Sequence, residues 1–408
     1  MNLKQSQLIV KPRDYNGTLD VPSSKSAANR ILILACTVDE PVVVSNIPLS
    51  HDVENLINCL RKVGLNIERE GNSLTVTNSF PKCERKLSSP LVLETGDGGT
   101  TTRFLIPFLA LGQETYIVEP EGRMKERPIE DLAVTLKNLG VAVSLGEKGW
   151  MSIQGPFGEI PKSLVVNAEK TTQHITALSL ALRKSDIEPE NMKYSTSYWE
   201  MTKDLINKFN GGQREFVVPV DFSSMSYPLA LGAVLGSVHV KNCLEVDNFQ
   251  ADAILIEVLK QMNHQVSLAS DGLRVKRTES PETIDFDCAN CPDLVPTLAF
   301  LCSKIEGDSK LKNIDVLKYK ESDRLKEIIH LLDLYKIKNS YDESADVLTI
   351  TGQRAAQLES FELTPPIDHR IVMISYLFLR ANGGGSLTNG HCVSKSFGNF
   401  FEVIDCDS

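Results

Sequence analysis

Leu56-Ile57-Asn58-Cys59-Leu60-Arg61-Lys62-Val63-Gly64-Leu65-Asn66-Ile67 decides the fold once it is laid over Leu132-Ala133-Val134-Thr135-Leu136-Lys137-Asn138-Leu139-Gly140-Val141-Ala142-Val143. In both stretches apolar residues four and then three apart (Leu56, Leu60, Val63; Leu132, Leu136, Leu139) write one face of a helix. Gly64 or Gly140 follows where a helix end calls for a left-handed residue, and an alternating strand begins at once. Looser copies run through Leu255, Leu259 and Met262 to Asn263 and Val266, and through Ile328, Leu332 and Tyr335 to Ile337. A degenerate copy ends at Phe209-Asn210. Recurrence at roughly 50 to 75 residues marks a repeat architecture.

A unit of one helix and a few short strands cannot cover its own apolar face, so copies pack around a shared centre. The 408 residues suit two such clusters, at about 200 residues per core. The pattern breaks near Pro219 to Ser226, where the degenerate copy ends and a small-residue helix, 228–235, begins. The opposite crossing falls at Val21-Pro22. The expected domains are 1–22 with 222–408, the N-terminal strand joining the C-terminal half, and 23–221. The expected class is α/β (α+β) with two domains, and the active site is expected in the interdomain cleft, where hinge closure excludes water.

With 42% hydrophobic and 24% charged residues the chain has an ordinary globular composition. No apolar run reaches the roughly 18 residues of a membrane span. Residues 1–10, with Lys4, lack the apolar core of a secretory signal, so a cytoplasmic address is expected. Nine cysteines, an odd number scattered from Cys36 to Cys406, read as reduced, mostly buried thiols. Cys288 and Cys291 have CxxC spacing, but no second pair or histidine cluster follows, so no metal is expected. A net charge of -10 argues against a nucleic-acid partner. The basic residues gather instead in short polar motifs, as a small anionic ligand requires.

Five motifs carry that chemistry. Ser23-Ser24-Lys25-Ser26-Ala27-Ala28-Asn29-Arg30 opens an apolar helix and offers hydroxyls, free backbone N–H groups and two cations to an anion. Its alternative is a serine cap with solvated cations. Gly96-Asp97-Gly98-Gly99-Thr100-Thr101-Thr102-Arg103 lets the backbone approach a phosphate or carboxylate, or is a tight turn capped by threonine. Arg123-Met124-Lys125-Glu126-Arg127-Pro128 packs three cations before a helix, or is a solvated basic turn. In Lys318-Tyr319-Lys320-Glu321-Ser322-Asp323-Arg324, Ser322 or Asp323 can cap a helix, and the flanking cations are expected to lower the Glu321 pKa. Asp368-His369-Arg370 opens an apolar helix, with Lys395 further on in Ser394-Lys395-Ser396. Cations at so many helix starts suit a doubly or triply anionic small molecule.

In this order the motifs resemble the enolpyruvyl transferases, and most closely the phosphoshikimate carboxyvinyltransferase family, over nearly the whole chain. The resemblance implies two domains, each of three helix-and-strand units around a shared helical core. It implies transfer of the enolpyruvyl group of phosphoenolpyruvate to shikimate 3-phosphate, a chemistry that calls for no metal or organic cofactor; a monomer with no nucleic-acid or membrane partner is expected. By similarity Lys25, Ser26, Arg30, Thr171, Thr172, Gln173, Ser195, Tyr198, Asp293 and Lys320 hold shikimate 3-phosphate. Lys25, Gly99, Arg103, Arg123, Gln173, Arg324, Arg370 and Lys395 hold phosphoenolpyruvate. Asp293 matches the family carboxylate facing the attacking hydroxyl, Glu321 the one near the methylene carbon, and Lys25 completes the catalytic set.

This sequence departs from the family at Asp97 and Phe104, where Asn and Pro are usual, and at Val316, where Asn is usual. Thr171-Thr172-Gln173 replaces Ser-Ser-Gln and keeps the hydroxyls, while Val316 loses a sugar contact. The stretch from Phe209 to Asp221 is short by about a hairpin, which trims one repeat. Two rival readings remain at this level. The sister transferase acting on a UDP-amino sugar uses a loop cysteine, which residues 123–128 lack; a catalytically impaired anion-binding homologue would not need the paired acids Asp293 and Glu321.

Overall fold

The computed structural model describes residues 7–146, 150–169, 171–355 and 357–405. Lys4 and Cys406, named above, lie outside the described residues.

The repeated helices end alike. His51–Lys62, Glu130–Asn138, Thr196–Asn210, Leu255–Gln261 and Arg324–Leu334 are each followed, one residue after the cap, by a left-handed residue. These are Gly64 (φ +108°), Gly140 (+83°), Gly212 (+91°), Asn263 (+66°) and Lys336 (+56°). The next N–H then reaches back five residues: Leu65 to the Leu60 carbonyl, Val141 to Leu136, Gln213 to Lys208, His264 to Leu259 and Ile337 to Leu332. That bond and its inner partner satisfy carbonyls the helix would otherwise strand, and turn the chain toward the following strand. Lys336 bears the steric cost of the left-handed region with a full side chain. Its exposed contact to Glu359 (3.3 Å) contributes little. Lys336→Gly is therefore expected to raise stability by about 0.5–1 kcal/mol in thermal melts.

Four sheets repeat one strand order: a parallel pair, then two antiparallel neighbours. In the first, Glu215–Val217 lies parallel to Val42–Ser45, which pairs with Ser73–Val76 and then Ile67–Glu70. The second runs Leu91–Gly96, Thr115–Pro120, Met151–Gln154, Ala142–Leu145. The third runs Tyr15–Leu19, Gly236–Val240, Gly272–Lys276, Gln265–Ala269. The fourth runs Asp285–Asp287, Gly307–Lys312, Val347–Gly352, Lys338–Asp342. A fifth keeps only the parallel pair Ser163–Asn167 and Asp186–Glu190. After Asn210 the chain makes one short strand, Glu215–Val217, and spends it on the first sheet, so this repeat lacks its hairpin. In a sixth sheet Phe361–Leu363 and Gly385–Leu387 run parallel, and Leu8–Val10 adds on antiparallel.

The chain forms two compact units, Ser23–Pro219 and the segments on either side of it. In Ser23–Pro219 the helices Lys25–Ala35, Gly99–Leu109 and Gln173–Ala181 are buried almost all round, as helices without a polar face must be. The amphipathic His51–Lys62, Glu130–Asn138 and Thr196–Asn210 turn one face inward. In the other unit Phe222–Leu235, Val295–Ser303 and His369–Arg380 are the buried helices. Each unit has its own apolar core. The helix expected over 228–235 starts earlier, at Phe222. Asp221 caps it by accepting from the Ser223 N–H (3.0 Å), and burial carries Pro228 inside a helix that Pro would ordinarily begin.

Among the described residues no helix is long and apolar enough to cross a membrane. The eight described cysteines are free thiols. Burial pushes the Cys288 and Cys291 thiols well above the usual range, as inert core residues.

Candidate active site

Both units gather many of their polar residues at the first turns of helices, where unpaired N–H groups favour anions. In Ser23–Pro219, Ser24 caps the helix Lys25–Ala35 by accepting from the Ala27 N–H (3.3 Å), so the cap and the cation cluster coexist. Lys25 Nζ donates to Asp52 Oδ2 at 2.8 Å, and Asp52 is 1% exposed. Asn29 Nδ2 reaches Thr100 Oγ1 at 2.8 Å, tying that helix to Gly99–Leu109. Gly98 is the cap residue there, so the expected threonine cap is not formed: Thr101 donates instead to the Asp52 carbonyl (2.8 Å), and Thr102 meets Thr95 (2.8 Å).

Three side-chain ends crowd Gly99: a Cβ would stand 2.9 Å from Arg127 Nη1 and 3.1 Å from both Arg103 Nη1 and Gln173 Oε1. Arg103 itself donates to Gln173 Oε1 (2.7 Å) and to the Pro128 carbonyl (2.8 Å). Gly99, Arg103, Gln173 and Arg127 are thus brought together. Arg123 is half-buried on the short turn Gly122–Glu126. Thr171 Oγ1 accepts from the Gln173 N–H (3.2 Å), and Thr172 caps the helix Gln173–Ala181 through its backbone.

Arg30 forms a second group. Its guanidinium lies over the Phe104 ring (5.3 Å) and over the Tyr198 ring (5.5 Å), and donates to Thr202 Oγ1 (2.9 Å) and the Ser26 carbonyl (2.7 Å). Burial lowers its pKa to about 10, with Tyr198 partly offsetting. Phe104, a departure from the usual Pro, thus supplies one of the two rings that Arg30 meets. Ser195, left-handed at φ +56°, starts the helix that carries Tyr198.

In the other unit the cluster centres on Arg324, 1% exposed. Its Nε and Nη2 reach Asp368 Oδ2 (2.8 Å) and Oδ1 (3.2 Å), Nη1 reaches Asp293 Oδ1 (2.8 Å), and Nη2 reaches Glu321 Oε2 (2.7 Å). Arg370 Nη2 meets Asp293 Oδ2 at 3.1 Å, Lys320 Nζ lies 3.4 Å from Asp293 Oδ1, and Lys395 Nζ lies 3.6 Å from Glu321 Oε1. Asp323, not Ser322, caps the helix, accepting from the Lys326 N–H (3.1 Å); the Ser322 hydroxyl donates to Asp368 (3.0 Å). Asp293, Lys320, Glu321, Arg324, Arg370 and Lys395 are therefore one connected network. Burial alone would raise the Asp293 carboxyl, but Arg370, Lys320 and Arg324 outweigh it and hold it well below the carboxylate range. The same carboxylates lift Arg324 above its ordinary value against the pull of burial.

Three acids missed by sequence reasoning belong to these clusters: Asp52, Asp252 and Asp368 as the partner of Arg324. Asp52 and Asp252 sit in first helical turns, where an acid is ordinary; only packing sets one against Lys25 and the other near Asp293. Burial raises Asp252, Asp293 adds repulsion, and Arg370 offsets part of it, leaving a pKa of about 7. A carboxyl raised in the fold contributes stability below its unfolded value of about 4, and that contribution is lost as pH rises through about 7. Asp252→Asn is therefore expected to stabilise the protein relative to wild type at pH 8, with the gain gone at about pH 4. Equal melting differences at both pH values would contradict this placement.

The family model described as EPSP synthase (3-phosphoshikimate 1-carboxyvinyltransferase) matches residues 9–404. A 3-phosphoshikimate 1-carboxyvinyltransferase from Pyrococcus abyssi is 32% identical, over 97% of this chain and 95% of the relative. The chloroplastic 3-phosphoshikimate 1-carboxyvinyltransferase of Brassica napus is 29% identical, over 98% and 85%. The solved EPSP synthase of Acinetobacter baumannii shares the fold, with a TM-score of 0.75 at 22% identity over 97% and 96% of the two chains. So does the enolpyruvyl transferase NikO from Streptomyces tendae, at a TM-score of 0.73 and 15% identity over 97% and 95%.

Proposed function

This chain belongs to the EPSP synthase (3-phosphoshikimate 1-carboxyvinyltransferase) family, and from that membership we propose how its two polar clusters perform the family's reaction. The activity is that of a transferase of the shikimate pathway of aromatic amino acid biosynthesis. It moves the enolpyruvyl group of phosphoenolpyruvate to the 5-hydroxyl of shikimate 3-phosphate and releases phosphate. The observation that carries the assignment of roles is the network around Arg324, which joins two acids, Asp293 and Glu321, to the cations Arg370, Lys320 and Lys395.

Asp293 takes the proton of the attacking 5-hydroxyl as its oxygen bonds to the substituted enol carbon, while Glu321 protonates the methylene. The product of addition is a tetrahedral ketal. Elimination returns a methyl proton to Glu321 and breaks the carbon–oxygen bond to phosphate, which carries away the proton held by Asp293. Lys25, Arg123 and Lys395 stabilise the leaving dianion. The electrostatics support this division. Asp293, held low by three cations, is a weak base until anionic substrates draw those cations onto their own oxygens; its carboxyl then rises toward a working range.

Lys25, Ser26, Arg30, Thr171, Thr172, Gln173, Ser195, Tyr198, Asp293 and Lys320 serve shikimate 3-phosphate. Lys25, Gly99, Arg103, Arg123, Gln173, Arg324, Arg370 and Lys395 serve phosphoenolpyruvate. The joint arrangement of Gly99, Arg103 and Gln173, and that of Arg30 with Tyr198, support these two groupings. We assign the working form as a cytoplasmic monomer that uses no metal or organic cofactor. Comparison of acceptors tests the reading: phosphoenolpyruvate should be consumed with shikimate 3-phosphate and not with a UDP-amino sugar. Consumption with the sugar nucleotide alone would move the chain to the sister activity.

A further inference from the structure

A cavity of about 220 Å³ opens at the opposite ends of the buried helices that carry Asp293 and Asp368. It is lined by the last residues of Phe222–Leu235, by Leu301 and Lys304 at the end of Val295–Ser303, and by Ala381, which caps His369–Arg380. At 1.5 Å of rise per residue, the nine residues of Val295–Ser303 set it roughly 13 Å from the catalytic network. None of the proposed substrate residues lines it.

Lys304, Arg277 and Arg354 face this cavity, against one carboxylate, Glu279. Glu279 is 3.8 Å from Arg277, beyond hydrogen-bond reach, and its side chain is 88% exposed. Lys304 is half-buried, and its ammonium donates to a neutral acceptor, Asn382 Oδ1, at 2.6 Å. Among the described residues no carboxylate lies within ion-pair distance of it, and burial lowers its pKa to about 8. A partly buried ammonium without an anion is unusual, because desolvation is ordinarily offset by a partner. His264, 8% exposed, also lines the cavity, and burial holds it neutral with a pKa of about 4. The apolar surface of the wall comes from Val234, Leu235 and Pro281, with Leu301 (1% exposed) and Ile305 (2% exposed) packed beneath it.

Helix ends alone would attract cations, since their carbonyls are partly negative. That accounts for exposed arginines but leaves the apolar wall and the neutral partner of Lys304 unexplained. The same carbonyls disfavour a dianion, and the apolar wall disfavours a bare inorganic ion. A space of about 150 Å³ already admits a benzene ring.

We infer that this cavity binds a small organic monocarboxylate with a ring-sized apolar body, its carboxylate on Lys304 and Arg354 and its ring against Val234, Leu235 and Pro281. The site is separate from the catalytic network and does not depend on the reaction assigned to it.

Calorimetric titration of the full chain with benzoate tests the inference, with benzamide and inorganic phosphate as comparisons. Saturable benzoate binding is expected, at an affinity that added shikimate 3-phosphate leaves unchanged, with benzamide and phosphate binding at least about tenfold more weakly. Lys304→Met should weaken benzoate about tenfold, and the exposed Arg354→Gln about threefold, without changing the rate of phosphate release. Should Lys304→Met fail to fold, Arg354→Gln decides alone. The inference is overturned by no saturable binding to wild type, by equal binding of benzamide, by variants that retain full affinity, or by displacement with shikimate 3-phosphate.

Discussion

Arg324→Leu is expected to lose about 3–5 kcal/mol of stability and all measurable turnover. Arg324 is buried at the middle of three carboxylates, Asp368, Asp293 and Glu321, all within 2.8 Å of a guanidinium nitrogen. Removing it leaves Asp368, whose side chain is 0% exposed, as a buried charge with its main partner gone. Attraction between the pair only offsets desolvation, so breaking one side costs far more than the intact pair contributes. Replacing both sides is milder, and Arg324→Leu with Asp368→Leu should recover part of the loss. Urea midpoints for the two variants and wild type check this. An unchanged midpoint in Arg324→Leu would mean that the guanidinium does not hold these acids together.

The second large effect is on the chemical step. Asp293→Asn should lower kcat by about 10²–10⁴, the range for removing a positioned acid or base. It should not raise KM for either anionic substrate. Asp293 pairs with Arg324, Arg370 and Lys320, so under the proposed roles it competes with substrate for them, and an amide gives up most of that competition. A fall in kcat with KM unchanged or lower is the signature of a group that acts in the transition state and restrains its neighbours in the ground state. A tenfold rise in KM at nearly unchanged kcat would recast Asp293 as a binding residue only.

How much of this was legible in the sequence differs by element. The repeats were legible because Gly64 and Gly140 answer a geometric demand, the left-handed residue after a helix, with the residue that best meets it. At Asn263 and Lys336 the same geometry is reached with poorer residues, and there the pattern could be followed only through its apolar spacing. Pro228 misled because a proline ordinarily starts a helix, whereas here burial overrides local preference.

Of the candidate site, the cations could be read because they cluster in sequence. Most of their partners could not, Glu321 excepted, since it stands among cations in one motif. Lys25 meets Asp52 and Asp293 meets Arg370 across 27 and 77 residues, so only the fold brings them together. Nor did the ordinary readings compete with the functional ones: Ser24 and Asp323 cap helices whose first turns also carry Lys25 and Arg324.

The central claim is that Lys25 and Asp293 both serve the transfer from phosphoenolpyruvate to shikimate 3-phosphate. Phosphate release from phosphoenolpyruvate by the purified protein, with and without shikimate 3-phosphate, in wild type, Lys25→Ala and Asp293→Ala, tests it most directly. Release that requires the shikimate ester and collapses in both folded variants is the predicted result; no release from folded wild type, or full release from either variant, would contradict it.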